Sequence, residues 1–351
     1  MAKLLKAKFM RRLGAVTGVL FVLLVALELV ARAAEPGPFT FFDRNPFLTD
    51  DVLRHKHKPG FRGHWEGSWF ETNSLGLRGP EIPRAKAPGE YRVVCLGDSC
   101  TFGKSVLEEE TWARQLEVML AAEMPAGRTA RVANLGVNGF AGHEYHEMFF
   151  RLGLGLDPDL VVVGYNLNDF PNVIFQIDQE VYKKRKLRKL ISKDLRDWMG
   201  RTALYRWVRG TYYEWRKERD WEAAERWARE ASQVGQEPEI WAEQERILGE
   251  IVAAARERGA EIAVFLFPYE SQVYLDAYDE TPIELMRGLC AQLDVPFVDL
   301  AERYRAAAHV TDPPRRLFVR GDRYHPTGEG YAIVARAVLE VARERGWLPS
   351  E

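Results

Sequence analysis

Apolar runs and helical stripes alternate along most of the chain. Short runs rich in β-branched residues predict buried strands, and apolar positions that recur every three or four residues predict helices. The predicted strands are residues 92–96, 130–134, 160–165, 261–267 and 297–300. The predicted helices are residues 112–124, 142–152, 241–258, 283–293 and 327–345. Because parallel strands need crossover connections, the alternation predicts an α/β fold with a central parallel sheet of about five strands and helices on both faces.

The hydrophobic run at the amino terminus is longer than these segments. Residues 13–31 contain one acid, Glu28, and at about 1.5 Å per helical residue they reach roughly 28 Å, close to the hydrocarbon thickness of a bilayer. The cations that precede the run are Lys3, Lys6, Lys8, Arg11 and Arg12. A positive flank predicts that this side stays in the cytoplasm. Residues 1–34 are therefore predicted to be a cytoplasmic tip and a transmembrane signal anchor, with the rest of the chain outside the cytoplasm.

A cleaved signal peptide is the alternative for this segment. Ala31-Arg32-Ala33 is a small-residue cleavage site of the A-x-A type. The apolar run is longer than the usual core of a signal peptide, which favours an anchor that stays on the protein. Either interpretation predicts an exported body.

Two segments differ in composition from the α/β region of residues 91–351. Residues 35–90 are rich in Pro, Gly, aromatic and basic residues and predict an extended arm, with a β-hairpin at residues 65–69. Residues 172–235 form an insertion in which residues 183–220 carry 14 Lys/Arg against 5 Asp/Glu. Its closely spaced tryptophans are Trp198, Trp207, Trp215, Trp221 and Trp227. This composition suits a lid, or a docking surface for a polyanion, a carbohydrate or an anionic membrane; a solvated helical cap is the structural alternative.

Composition excludes several classes of function. The formal net charge of −2 gives no basic field for nucleic acid, so no nucleic-acid partner is expected. Cys95, Cys100 and Cys290 match neither a disulfide framework nor a zinc pattern and are predicted to be free thiols. His143 and His146 are three residues apart, where a zinc-protease helix needs four. Without a phosphate-binding glycine loop followed by lysine, we expect neither a cofactor nor a metal.

A serine follows the first strand of the predicted sheet. Gly97, Asp98 and Ser99 come directly after the apolar run 92–96, and Gly97 frees the backbone to turn sharply. In open α/β sheets, ligands bind beyond the carboxyl ends of the strands. Ser99 is therefore a candidate nucleophile, although an ordinary polar turn would explain these three residues alone.

Other residues suited to hydrolysis follow later strands. The second strand leads to Gly139, the third leads to Asn168, and Asp322 and His325 precede the last helix. Acyl transfer by serine needs a base, an acid that orients the base, and donors for the oxyanion. His325 can be the base and Asp322 its orienting acid. The backbone N–H groups of Ser99 and Gly139, with the side-chain amide of Asn168, can form the oxyanion hole.

Neighbouring residues offer alternatives for two of these roles. Cys100 could be the nucleophile in place of Ser99, and Asp98 could pair with His325 in place of Asp322. Asp322 is favoured because it stands three residues from His325 on the same segment. Cys100 is expected to be a buried packing residue.

Taken in order, these motifs resemble the SGNH (GDSL-type) hydrolases, and the chain is similar to their membrane-anchored bacterial type. The matching motifs are Gly-Asp-Ser at residues 97–99, Gly139, Asn168-Asp169 and Asp322-x-x-His325. The resemblance implies a flavodoxin-like three-layer fold. It also implies that Ser99, Gly139, Asn168 and His325 are the four residues for which the family is named. Asn166 departs from the pattern, because the family usually has glycine there, and a larger side chain could narrow the cleft.

Three functions are compatible with this arrangement. The first is an extracytoplasmic serine esterase that cleaves acyl or acetyl esters of a small molecule, lipid or polysaccharide through an acyl-enzyme. The second is an O-acyltransferase or deacetylase that modifies an envelope polysaccharide with the same triad. The third is a non-catalytic scaffold that binds carbohydrate or lipid. The complete triad argues against the third function, and the first two share an acyl-enzyme that the sequence alone does not separate.

Overall fold

An apolar helix leads into the body of the protein. The computed structural model describes residues 2–35, 37–40, 43–166, 169, 192–219, 238–274, 280–308, 316–320, 322 and 324–350. Helix α1, Ala2–Ala33, contains the stretch Lys8–Ala33, which is long and apolar enough to cross a membrane or to act as a signal anchor.

Two antiparallel hairpins follow α1. Strand β1, Phe47–Asp50, pairs with β2, Arg54–His57, and β3, Arg62–Trp65, pairs with β4, Ser68–Glu71. The turn between β3 and β4 consists of two residues, and its first residue, Glu66, has a φ angle of +49°. Positive φ angles are what a tight hairpin turn of this length requires. Glu66 therefore lies at the tip of the β3–β4 hairpin.

A five-stranded parallel sheet forms the centre of the fold. Its strands are β5 Glu90–Gly97, β6 Thr129–Asn134, β7 Leu160–Asn166, β8 Glu261–Phe267 and β9 Phe297–Asp299. Their spatial order is β6-β5-β7-β8-β9, and every neighbouring pair is parallel. This is the doubly wound order of flavodoxin-like proteins, whose chain reverses direction across the sheet between its first and third strands. The predicted sheet is confirmed, and its switch point lies between β5 and β7.

Helices cover both faces of this sheet. The other described α-helices are α2 Ser99–Phe102, α3 Trp112–Glu123, α4 Gly142–Met148, α5 Lys193–Gly200, α6 Ala203–Arg219, α7 Pro238–Glu257, α8 Glu270–Tyr274, α9 Thr281–Gln292, α10 Ala301–Ala308 and α11 Gly328–Glu344. Side chains of β5 alternate between the two faces. Val94 and Leu96 pack with α4, α7 and α9, whereas Val93 and Cys95 pack with α3, α10 and α11. The three-layer α/β fold is confirmed.

A buried arginine of the arm, residues 35–90, binds backbone carbonyl groups of the sheet domain. The Arg78 guanidinium donates to the carbonyl oxygens of Phe102 at 3.2 Å, Val106 at 2.7 Å and Gly103. It also lies over the Phe102 ring, 4.8 Å from the ring centroid. Burial lowers the pKa of Arg78 to about 10. Because Gly103 caps the carboxyl end of α2, Arg78 supports the turn that carries Ser99.

Replacing Arg78 should therefore destabilise the domain. Arg78→Met removes the donor from three buried carbonyl groups, and we expect the free energy of unfolding to fall by about 2–4 kcal/mol. Arg62→Met is the matched control on the same arm, because the Arg62 side chain is 71% exposed. It should change stability by less than about 0.5 kcal/mol. Urea unfolding of the full chain in detergent, followed by tryptophan fluorescence, measures both. Equal destabilisation by the two variants would contradict the role of Arg78.

Candidate active site

The turn after β5 presents Ser99 at the edge of the sheet. Helix α2 starts at Ser99, and the Asp98 carboxylate accepts a hydrogen bond from the Cys100 N–H at 2.7 Å. A Cβ atom added to Gly97 would lie 2.7 Å from the Gly164 carbonyl oxygen. Only glycine therefore allows α2 to turn back so closely over β7. The turn leaves Ser99 7% exposed.

Ser99, His325 and Asp322 form a continuous hydrogen-bonded relay. His325 Nε2 lies 2.7 Å from Ser99 Oγ, and His325 Nδ1 lies 2.7 Å from Asp322 Oδ2. A carboxylate only accepts hydrogen bonds, so the Nδ1–H donates to Asp322 and Nε2 is left to accept from the serine hydroxyl. This tautomer suits a base that takes a proton from Ser99.

The backbone around His325 holds the ring in place. Val319 N–H donates to the His325 carbonyl at 2.9 Å, and Thr327 N–H donates to the Leu317 carbonyl at 2.9 Å. The Thr327 hydroxyl also accepts from Gly330 N–H at 3.3 Å and caps the first turn of α11. Because α11 packs on the sheet, the core fixes the position of the histidine.

Charges around the relay keep Asp322 ionised. Burial is the largest influence and by itself raises the pKa of Asp322. The electrostatic interaction with His325, the hydrogen bond from its ring and the nearby Lys104 outweigh burial and hold the pKa of Asp322 well below its usual range. Lys104 Nζ in turn pairs with Glu66 Oε2 at 2.6 Å. The tip of the β3–β4 hairpin thus reaches the rim of the site, a contact that no local sequence pattern indicates.

The candidate oxyanion donors are described in part. Val137 N–H donates to the Gly97 carbonyl at 3.2 Å, which holds the loop carrying Gly139 beside the serine turn. Gly139 is exposed. Asn168 lies outside the described residues.

Residues on either side of Asn168 are buried. Asn166 N–H donates to Asp169 Oδ2 at 2.6 Å, and both residues are fully buried. Asn166 Nδ2 lies 3.3 Å from Cys100 Sγ. The amide that replaces the usual glycine is therefore directed at a buried sulfur.

The two alternative assignments fit the geometry less well. Cys100 is fully buried, and burial, reinforced by the Asp98 charge, raises the pKa of its thiol well above the usual value. A thiol with a raised pKa stays protonated and is a poor nucleophile. Asp98 Oδ2 lies 3.3 Å from Ser99 Oγ, whereas the ring nitrogen Nδ1 of His325 contacts Asp322. Among the described residues, no group of three or more His, Cys, Asp or Glu side chains is placed to hold a metal ion.

A protein-family model matches most of the chain. The model for the GDSL-like lipase/acylhydrolase family covers residues 95–333, a stretch that contains all of the candidate site residues. No curated protein matches the chain.

Several solved structures are similar to the chain at low sequence identity. TesA is 15% identical, with 72% of this chain and 98% of that one covered and a TM-score of 0.44. LAE5, an α/β hydrolase from the metagenome of Lake Arreo, is 18% identical, with 76% and 99% covered and a TM-score of 0.46. A catalytic mutant of Axe2, an acetylxylan esterase from Geobacillus stearothermophilus, is 16% identical, with 74% and 97% covered and a TM-score of 0.42.

The raised thiol pKa values predict that the native protein resists alkylation. Burial raises the pKa of Cys95 and Cys100 well above the usual value and that of Cys290 to about 12. Only the thiolate reacts, so iodoacetamide at about pH 8.5 should leave the native chain in detergent unlabelled. The urea-unfolded chain should take up a label at each of its three cysteines. Mass spectrometry counts the labels, and rapid modification of native Cys100 would contradict its burial as an inert thiol.

Proposed function

The chain belongs to the GDSL-like lipase/acylhydrolase family, and we propose that it is an extracytoplasmic serine esterase that cleaves acyl or acetyl esters through an acyl-enzyme. The observation that carries this proposal is the relay from Ser99 Oγ to His325 and Asp322, with both contacts at 2.7 Å. These are the hydrogen-bond lengths that proton transfer from a serine nucleophile requires.

The reaction has two halves. Ser99 Oγ attacks the ester carbonyl carbon while its proton moves to His325 Nε2, and His325 then gives that proton to the departing alcohol. The acyl group remains on Ser99. A water molecule next loses a proton to His325 and attacks the acyl carbon, which releases the acid and returns the proton to Ser99. Asp322 holds the imidazole and stabilises its positive charge in both halves.

The negative charge on the carbonyl oxygen needs donors in both halves. We assign this role to the backbone N–H groups of Ser99 and Gly139 and to the side-chain amide of Asn168. Fixed donors of this kind stabilise the tetrahedral intermediate more than the flat substrate, so they lower the barrier.

Transfer to a sugar would use the same acyl-enzyme. The acceptor would be a polysaccharide hydroxyl in place of water. We favour hydrolysis because it needs only water at the acyl-enzyme, whereas transfer needs a second bound substrate. Incubation with an acetyl ester, with and without a polysaccharide acceptor, distinguishes hydrolysis from transfer. Free acetate is the expected main product in both cases, whereas acetylated polysaccharide as the main product would show that the protein is a transferase.

Contacts between α1 and the body support an anchor that stays on the protein. Glu28 Oε2 accepts from Leu204 N–H at 2.8 Å, and Arg32 Nη1 pairs with Asp43 Oδ1 at 2.7 Å. Cleavage after Ala33 would remove both contacts from the body. Together with the cations that precede the apolar run of residues 13–31 within α1, these contacts support a single-pass membrane protein whose catalytic domain lies outside the cytoplasm.

Substitutions within the relay should abolish turnover of a soluble acetyl ester. Ser99→Ala or His325→Ala removes the covalent route, so we expect the rate constant kcat to fall by about 10⁴-fold or more. The matched controls are Ser74→Ala and His143→Ala, which change exposed residues. They should retain the wild-type rate. Near-normal turnover in Ser99→Ala would contradict the assignment.

The supporting residues should have graded effects in the same assay. Asn168→Ala should slow a folded enzyme by about 10²- to 10³-fold, the contribution of one oxyanion donor. Asp322→Asn should slow it by up to about 10⁴-fold, because an amide favours the wrong imidazole tautomer. Full activity in either variant would remove that residue from the mechanism.

A reporter fused after Glu351 tests the topology. A reporter that works only in the cytoplasm should be inactive on the full chain and active when residues 1–34 are deleted. An active reporter on the full chain would show that the catalytic domain faces the cytoplasm.

A further inference from the structure

Helices α5 and α6 expose an aromatic surface. Trp198, Trp207 and Trp215 are 61%, 60% and 49% exposed, and the other tryptophans that the structure describes are buried or half-buried. Val208, Tyr212 and Trp215 recur at the spacing of one helical face. We call the α6 residues Trp207, Val208, Tyr212 and Trp215 the aromatic face. Large apolar side chains grouped on a surface indicate a site of contact.

This surface begins at the outer end of the candidate membrane span. The Glu28 carboxylate accepts from Ala203 N–H at 2.9 Å and from Leu204 N–H at 2.8 Å, so it caps the first turn of α6. Glu28 stands five residues before α1 ends at Ala33, a distance of about 7.5 Å along the helix axis. Helix α6 therefore starts at the level where the span leaves the hydrocarbon.

A buried ionic network fixes α6 at this position. Asp43 contacts Arg32 at 2.7 Å and Arg206 at 3.0 Å, and its side chain is only 2% exposed. Arg206 Nε also donates to Glu35 at 3.0 Å. Because Arg32 belongs to α1 and Arg206 to α6, the network ties the two helices together.

The opposite side of α6 borders the active site. Gly210 packs close to the segment before His325, because a Cβ atom added to Gly210 would lie 3.8 Å from the Arg320 carbonyl oxygen. Arg206 packs close to the tip of the β3–β4 hairpin, because a Cβ atom added to Gly67 would lie 3.2 Å from Arg206 Nε. Arg206 and Gly210 share a helical face that is turned away from Val208 and Tyr212. Only the width of one helix, about 10 Å, separates the rim of the site from the aromatic face.

We propose that the aromatic face lies in the headgroup region of the bilayer that α1 spans, and that the site acts on esters of membrane-resident amphiphiles. The proposal rests on the proposed function, which supplies the esterase chemistry and the topology. Tryptophan and tyrosine side chains concentrate at the membrane interface, because their rings are amphipathic. Residues 183–220 contain 14 Lys/Arg against 5 Asp/Glu, and this net positive charge favours binding to anionic headgroups. An ester at headgroup depth would then lie within one helix width, roughly 10 Å, of the rim of the site.

A pair of matched valines tests the docking. Val208 is 50% exposed on α6, and Val118 is 59% exposed on α3. Each is changed to cysteine and given a nitroxide label in the full chain, whose native cysteines are buried. The proteins are reconstituted into vesicles of phosphatidylglycerol and phosphatidylcholine. Oxygen concentrates in the bilayer and should relax the nitroxide in Val208→Cys more strongly. A water-soluble nickel complex should instead relax the nitroxide in Val118→Cys more strongly. Equal access of the nickel complex to both would overturn the proposal and leave a protein or polysaccharide as the partner of the face.

Activity on two substrates tests the consequence. The double variant Trp207→Ser/Trp215→Ser should hydrolyse a long-chain nitrophenyl ester held in the vesicles about tenfold more slowly than wild type. It should hydrolyse soluble nitrophenyl acetate at the wild-type rate. Equal loss on both substrates, or no loss on either, would contradict delivery from the membrane.

The two proposals can fail separately. If Ser99→Ala kept its activity, the catalytic assignment would fall while the nitroxide result would still stand. If the nitroxide at residue 208 lay in water, the docking would fall while the effect of Ser99→Ala would still stand.

Discussion

The hydrogen bond between Ser99 Oγ and His325 Nε2 sets the tightest geometric requirement on the α/β domain. It joins residues 226 positions apart in the chain and has to be held at 2.7 Å. The parallel sheet supplies one partner at the end of β5, and the packing of α11 supplies the other. In the proposed mechanism, a shift of about 1 Å in either partner would slow catalysis strongly, because positioned groups lose their effect quickly with distance. The three-layer core therefore positions both partners of the candidate active site.

The sheet and the relay could be predicted because both follow from local patterns. Residues 160–165 form a nearly continuous apolar run, which is typical of a strand that helices cover on both faces. Parallel strands end at one edge, so polar residues after different strands were expected to meet there. Ser99, Asp322 and His325 do meet in the structure. The favoured acid, Asp322, was distinguishable from Asp98 because it shares a short segment with the histidine.

The contributions of the arm and the insertion could not be predicted, because they arise from packing between distant segments. Arg78 lies in a glycine-punctuated turn, and nothing local shows that it is buried under Phe102. Glu66 reaches Lys104 only because the β3–β4 hairpin folds over the serine turn. Glu28 is the one acid of the apolar run, and no local pattern shows that its carboxylate caps α6. Each of these contacts couples a segment outside the α/β domain to the rim or support of the site.

Reaction with a fluorophosphonate probe tests whether Ser99 is the nucleophile, because such a probe reacts with a serine only when a neighbouring base has activated it. The full chain in detergent is incubated with the probe, digested and analysed by mass spectrometry. One adduct on Ser99 is expected in the wild type and none at any position in Ser99→Ala. Equal labelling of Ser99→Ala, or an adduct on Cys100, would contradict the assignment of Ser99 as the nucleophile.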